Sequence, residues 1–126
     1  MLGGLEHLEQ RELDAARHHA RGAQETRDQL EQFGRDQIVV CGIEAHVCVQ
    51  QSVADILRSG RQAHVALDAI ASRTASSREV GVRRMRAAGM VPSGVELALF
   101  EMLETAEHPT FKAVSAIVRD LPSSLS

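Results

Sequence analysis

A short apolar run at residues 37–41, QIVVC, constrains the fold more than any other feature of this sequence. The run is rich in β-branched residues, with charged residues before it and Gly42 after it. Such runs are typical of strands that are buried on both faces of a parallel sheet. Residues 63–67, AHVAL, form a second run of the same kind, and residues 90–92, MVP, predict a short third strand.

A helical pattern follows each predicted strand. Residues 48–59 carry apolar side chains on one side and are followed by Gly60, a typical C-terminal stop. Two capping boxes, in which a Ser precedes a Glu by three residues, open the next two helices, and a fourth helix precedes the tail. These three helices are predicted at residues 76–89, 93–103 and 112–119. The alternation of strands and helices predicts an α/β fold with parallel strands and right-handed crossovers.

The composition excludes several classes of function. A formal net charge of −3 gives no long-range attraction for nucleic acid, and three Phe with no Trp or Tyr leave few side chains for stacking on bases. No apolar run approaches the ~20 residues that span a bilayer, and residues 1–20 contain no apolar signal-peptide region. We therefore expect a cytoplasmic protein that binds neither nucleic acid nor membrane.

The two cysteines flank the boundary between the first strand and the first helix after it. They are too few for a disulfide scaffold and lack CxxC spacing. Cys48 lies at the start of a helix, where the helix dipole and unpaired backbone N–H groups stabilise a thiolate and can hold an oxyanion. Cys41 lies inside the strand run and is expected to be a small buried hydrophobic residue. Position favours Cys48 as a nucleophile, with burial in packing left open as its alternative role.

The segment from residue 37 to residue 121 resembles the C-terminal half of the isochorismatase-like cysteine hydrolases, most of all their metal-independent branch. The resemblance rests on IVVCGIEAHVCVQQSVADIL, HVALDAIASR and VELALFEMLETAEHPTFKAVS, of which GIEAHVCV is the most specific part. It implies a three-layer, Rossmann-like parallel sheet, which in this chain is truncated and has an extra N-terminal helix.

The resemblance also implies a chemistry. Cys48 would be the nucleophile that attacks an amide or related C–N or C–O bond of a small-molecule substrate, with no cofactor and no metal. In this family a non-proline cis peptide precedes the nucleophile by four residues, which here is the Ile43–Glu44 bond. The backbone amides of Glu44 and Cys48 would then form the oxyanion hole.

The N-terminal part of the chain has a different character. Residues 5–33 are polar and rich in helix formers, and they predict one or two exposed helices that stop at Gly34. We therefore divide the chain into a helical segment unlike the family at residues 1–35, the isochorismatase-like domain at 36–121 and a tail at 122–126.

The sequence departs from the family pattern at two catalytic positions. The family pairs its cysteine with an Asp on the first strand and with a Lys from a later strand. The sole Lys of this chain is Lys112, in the C-terminal matching stretch. The Asp residues before Cys48 all lie in polar, helix-like surroundings; they are Asp14, Asp28 and Asp36. Neither catalytic partner can be assigned.

Three explanations stay open. In the first explanation, the chain is a fragment or misread frame of a complete hydrolase, with foreign sequence at residues 1–25. Alternatively, it is a short variant that has lost catalysis and serves as an interaction module. In the third explanation, it is a short enzyme that recruits His46 as a base or completes its site across a subunit interface.

Arg73, just past the second strand, is a candidate contact for an anionic substrate, although an ordinary loop position fits it as well.

The missing strands have a consequence for assembly. In the complete fold the strand at residues 37–41 is expected to lie between two others. Without the first strands it becomes an exposed apolar edge, which pairs readily with another chain. We therefore expect a homo-oligomer or a poorly stable monomer.

Overall fold

The computed structural model describes residues 10–11, 14 and 23–121, and the chain divides into two compact units, Met1–Arg35 and Asp36–Ser126. In the first unit, residues 23–33 form a helix, α1, whose side chains are mostly exposed. It ends at Gly34, which has a φ of 57°. The exposed helix and its stop are therefore confirmed over this range. Before residue 23, residues 10–11 and 14 are the ones described, and they are helical. The rest of the predicted N-terminal helices and the predicted tail lie outside the described residues.

The described part of the second unit alternates strands and helices, and each strand and helix predicted there is present to within a few residues. The elements are β1 (Gln37–Ile43), a π-helical turn (Ala45–Val49), α2 (Gln50–Arg58), β2 (Gln62–Ala71), α3 (Ala75–Ala88), β3 (Val91–Ser93), α4 (Val95–Leu103) and α5 (Phe111–Arg119). The strands lie in the order β1-β2-β3, and both pairs are parallel. The predicted α/β fold with a parallel sheet is confirmed. None of the helices in the described part is long and apolar enough to cross a membrane.

The core forms where α2, α3 and the π-helical turn pack on one face of the sheet. Its buried members are Ala45, Val49, Val53, Ile56, Ala63, Val65, Ile70, Met85 and Met90. Ile38 and Val40 of β1 are half-buried against this cluster. Each large apolar side chain buried in this way contributes about 1.5–3 kcal/mol relative to exposure. The same contacts that stabilise the unit therefore also fix the position of the turn after β1.

Strand β1 is not buried on both faces, and this part of the sequence prediction is wrong. Val39 is 51% exposed and Ile43 is 72% exposed, and side chains along β1 alternate between exposed and half-buried. The physical reason is its place at the edge of the sheet, where the described part of the chain supplies no strand beyond it. Among the described residues, β1 is an exposed apolar edge, as expected.

Helices α2 and α3 are followed by the predicted glycines, whereas α3 and α4 begin with caps other than the predicted ones. Gly60 and Gly89 both have positive φ and follow α2 and α3, as predicted. At the start of α3, the cap is Thr74 rather than Ser76, and its Oγ1 accepts from the N–H of Ser77 at 3.1 Å. The side chain two residues earlier reaches the free amide, so the helix begins sooner than the capping-box pattern predicts.

The start of α4 is capped from another strand. The N-cap position is Gly94, and the Asp68 carboxylate accepts from the N–H of Val95 at 3.0 and 3.2 Å. Ser93, the cap predicted from the local pattern, ends β3 and is 9% exposed. Asp68 lies where the β1–β2 register shifts, and this irregularity in β2 lies beside the first turn of α4.

We expect Asp68→Ala to lower the free energy of unfolding by about 0.5–2 kcal/mol, because the first N–H of α4 loses its acceptor. Ser93→Ala is the matched control, since the Ser93 hydroxyl bonds the Gly94 carbonyl at 3.5 Å and no N–H of α4. Urea denaturation of both variants measures the difference. A larger loss for Ser93→Ala than for Asp68→Ala would contradict this assignment of the cap.

Gly81 allows α3 to approach the turn after β1. Gly81 is buried, and a Cβ at this position would lie 2.9 Å from the Cα of His46 and 3.0 Å from the carbonyl carbon and oxygen of Ala45. These are backbone atoms, which cannot rotate away as a side chain would. Helix α3 therefore packs directly against the backbone of the turn.

We expect Gly81→Ala to lower the free energy of unfolding by about 1–3 kcal/mol, because the added methyl forces the two backbones apart. At an unconstrained helix position the same change stabilises by roughly 0.5–1 kcal/mol. Val80→Ala, at the exposed neighbouring residue, is the control and should change stability by less than about 0.5 kcal/mol. Thermal and urea denaturation decide the matter, and a stabilised Gly81→Ala protein would show that the contact is absent.

Candidate active site

The predicted nucleophile lies in the turn that connects β1 to α2. The Ile43–Glu44 peptide bond is cis, as the resemblance implied, and the π-helical turn begins one residue later. The carbonyl of Glu44 accepts from the N–H groups of Val47 and Val49, at 3.1 and 3.2 Å. The chain thereby changes direction at the carboxyl end of β1 and enters a helix within a few residues.

Cys48 lies in the first turns of a continuous helical stretch. The π-helical turn passes directly into α2, and the N–H of Gln50 donates to the carbonyls of Ala45 and Val47. Cys48 is exposed, whereas Ala45 and Val49 of the same turn are buried. The thiol therefore lies on the outer side of a turn that is anchored in the core, near the positive end of the helix dipole.

Both cysteines are free, and both are exposed. The expectation that Cys41 is buried is wrong, because it lies on the row of β1 side chains that the edge position leaves uncovered. Since both thiols are open to solvent, a difference in their reactivity would report chemical activation rather than access.

A polar cluster holds the ring of His46. Its Nδ1 lies 3.0 Å from the Oγ of Ser72, just past the carboxyl end of β2, and 3.4 Å from the Oε2 of Glu44. Among the described residues no hydrogen bond joins His46 to Cys48. Sequence reasoning named His46 as an alternative base but missed Ser72. The signal that could have found it is its place at the carboxyl end of the neighbouring strand, where parallel sheets gather their functional residues.

Among the described residues of the second unit, neither Asp36 nor Lys112 has a hydrogen bond or ion pair with Cys48. Asp36 precedes β1, and the seven residues of that strand separate it from the turn by roughly 20 Å. Lys112 is an exposed residue of α5. In the part of the chain described here, no three His, Cys, Asp or Glu side chains are grouped as a metal site would require.

An open groove of about 800 Å³ lies at the carboxyl ends of β2 and β3. Leu67, Pro92, Leu97 and Phe100 supply much of its apolar lining, and Asp68 and Arg78 lie among its polar residues. The guanidinium of Arg78 donates to the carbonyls of Leu67 and Ile70, so it braces the irregular end of β2. Cys48 is not part of this lining. Arg73 is an exposed residue between β2 and α3 and is not part of it either.

Comparison with known proteins identifies relatives of this chain. The isochorismatase domain model matches residues 5–96. The secreted isochorismatase effector Isc1 of Phytophthora sojae is 37% identical over 86 residues, which are 68% of this chain and 41% of that protein. The mouse isochorismatase domain-containing protein 2A is 35% identical over 95 residues, which are 73% of this chain and 46% of that protein.

A solved structure has the same fold. The MAR1 ribonuclease from Caenorhabditis elegans superposes with a TM-score of 0.71 and 32% identity, covering 78% of this chain and 50% of that one. The chain thus spans from about two-fifths to one-half of the length of these relatives. Because the family model matches well over half of its residues, the chain belongs to the isochorismatase domain family.

Proposed function

We propose that this chain carries the nucleophile of a cysteine hydrolase that cleaves an amide or a related C–N or C–O bond of a small molecule. The observation that carries the proposal is the place of Cys48. It is an exposed thiol in the first turns of the helical stretch at residues 45–58, at the carboxyl end of a strand. Helix N-termini favour a thiolate, which is the reactive form of cysteine.

In the proposed reaction the Cys48 thiolate attacks the carbonyl carbon of the substrate. The carbonyl oxygen becomes an oxyanion, to which the backbone N–H groups of Glu44 and Cys48 donate. Collapse of this intermediate expels the amine or alcohol, which takes up a proton, and leaves an acyl thioester on Cys48. Water then attacks the thioester, releasing the carboxylic acid and restoring the thiol.

The chain's own contribution to this reaction is the nucleophile and the oxyanion donors. Among the described residues of the second unit, Cys48 has no hydrogen bond or ion pair with a side chain that could serve as the general base or the cation that the family pairs with its cysteine. His46 Nδ1 is hydrogen-bonded to Ser72 and lies 3.4 Å from the Glu44 carboxylate, and no described hydrogen bond joins His46 to Cys48. The proposed hydrolysis therefore needs a base that another part of the protein, or another chain, supplies.

Two further parts of the proposal concern substrate and location. The C. elegans relative is named a ribonuclease, but the net charge of −3 and the scarcity of aromatic residues in this chain favour a small molecule over RNA.

The P. sojae relative is named a secreted protein. We nevertheless propose a cytoplasmic location, which the two unpaired cysteines support, because secreted proteins commonly pair theirs.

Alkylation by iodoacetamide tests the nucleophile directly. At pH 7 we expect Cys48 to react about tenfold faster than Cys41 or more, because only Cys48 lies at a helix N-terminus. The rates are measured separately in Cys41→Ser and Cys48→Ser, so that each protein presents one exposed thiol. Equal rates for the two cysteines would contradict the proposal.

The alternative function is a non-catalytic module that associates through β1. The observation that favours it is the edge itself, where the seven residues QIVVCGI carry no charge and two of their large apolar side chains are exposed. Natural edge strands are commonly protected by Lys or Pro, neither of which occurs in β1, although the β1–β2 register shifts between Val40 and Gly42. A second copy of the chain could pair along this strand without bringing like charges together.

Sedimentation equilibrium over a wide concentration range tests this association. We expect the unmodified chain to form oligomers as concentration rises. Val39→Lys should shift it toward monomer, because a charge then lies beside the apolar side chains of the paired strand on the same face of the sheet. Val80→Lys places the same charge at another exposed Val, on α3, and should leave the distribution unchanged. A monodisperse monomer at all concentrations would rule out the oligomer.

A further inference from the structure

We propose that His46 is a positioning residue for Cys48, and that it acts by joining the nucleophile turn to the carboxyl end of β2 through Ser72. The inference rests on the proposed function, because it concerns the same nucleophile. It starts from a cluster that the hydrolysis scheme does not use, in which His46 Nδ1 lies between Ser72 Oγ and Glu44 Oε2.

The geometry assigns one tautomer to the ring. Both atoms near Nδ1 are oxygens, at 3.0 and 3.4 Å, and one belongs to a carboxylate. An ionised carboxylate only accepts hydrogen bonds, whereas a hydroxyl can also accept one. The carboxylate beside Nδ1 favours the neutral tautomer in which Nδ1 carries the proton and Nε2 carries the lone pair. If Nε2 carried the proton instead, the lone pair of Nδ1 would lie against the negatively charged carboxylate, which is unfavourable.

The cluster is not a catalytic triad. In a triad the carboxylate and the nucleophile bond opposite nitrogens of the imidazole. Here the hydroxyl of Ser72 and the carboxylate of Glu44 share the same nitrogen, so His46 cannot relay a proton between them. What the arrangement can do is fix the orientation of the ring and of the backbone that carries it.

That backbone lies between the two proposed oxyanion donors. His46 is two residues after Glu44 and two residues before Cys48. On the α3 side the turn is held by the close approach of Gly81 to Ala45 and His46. On the β2 side it is held by the bond between His46 and Ser72, which are 26 residues apart in sequence. Loss of either contact would allow the turn to rotate and would change the orientation of the Glu44 and Cys48 amides relative to each other.

Nitrogen-15 NMR of the imidazole tests the tautomer without reference to catalysis. In protein kept at a pH where the ring is neutral, we expect His46 to show a protonated Nδ1 and an unprotonated Nε2. The signals are assigned by their absence in His46→Asn. A protonated Nε2 in the neutral ring would overturn the proposed hydrogen bonding.

Variants of the cluster test the positioning role through the reactivity of Cys48. We expect His46→Ala and Ser72→Ala to slow alkylation of Cys48 about five- to tenfold, the size of effect expected for one net hydrogen bond. His46→Asn places an amide donor near the position of Nδ1, and Ser72→Thr keeps the hydroxyl, so both should recover most of the rate. Alkylation of Cys41 is the internal control and should not change in any variant.

The outcomes separate this inference from the proposed function. If Cys48 of the unmodified chain reacts no faster than Cys41, the proposed nucleophile fails, and the NMR result still decides whether the cluster is bonded as described. If Cys48 is activated but His46→Ala and His46→Asn react alike, the nucleophile stands and the positioning role of His46 is overturned. Circular dichroism and thermal denaturation of each variant show that the comparison is made on folded protein.

Discussion

The turn after β1 is held against α3 by direct contact between backbones, and the position of Cys48 depends on this contact. Ala45 is fully buried, and Gly81 of α3 leaves no room for a side chain beside it. Val49 and Val53 continue the same buried row into α2. A thiol in an exposed loop would sample many orientations, whereas Cys48 is attached to a turn whose other side is part of the core.

At the carboxyl edge of the sheet, specific contacts also hold the other strands and connections in place. Asp68 in β2 caps α4, Arg78 in α3 bonds carbonyls of β2, and Ser72, just past β2, bonds His46 of the neighbouring connection. Each contact joins segments that are distant in sequence, so the connections at this edge support one another rather than acting as independent loops. Parallel sheets place ligand sites at this edge, and here the edge is built largely from polar contacts to backbone groups.

The sequence predicts much of the fold, because strands and helices leave local signals. Short apolar runs predict the three strands described in the second unit, and helical apolar spacing with capping boxes predicts its four described helices. Glycines that permit positive φ mark three helix ends, at Gly34, Gly60 and Gly89. The resemblance to a family predicts the cis bond before Glu44. The misses share one cause, which is dependence on distant neighbours. The exposure of Cys41 depends on what lies beside β1, and the caps at Asp68 and Thr74 depend on which acceptor reaches a free amide first. Gly81 gave no local signal, and Ser72 was marked only by its place after the second predicted strand.

We propose that Cys48 forms a covalent acyl intermediate, and this intermediate can be trapped. The chain is treated briefly with an activated acetyl ester, quenched in acid and analysed by tandem mass spectrometry, with Cys41 as the second exposed thiol in the same protein. We expect an acetyl group on Cys48 well before one on Cys41. Equal labelling of the two cysteines, or labelling of Cys41 first, would contradict the assignment of Cys48 as the nucleophile.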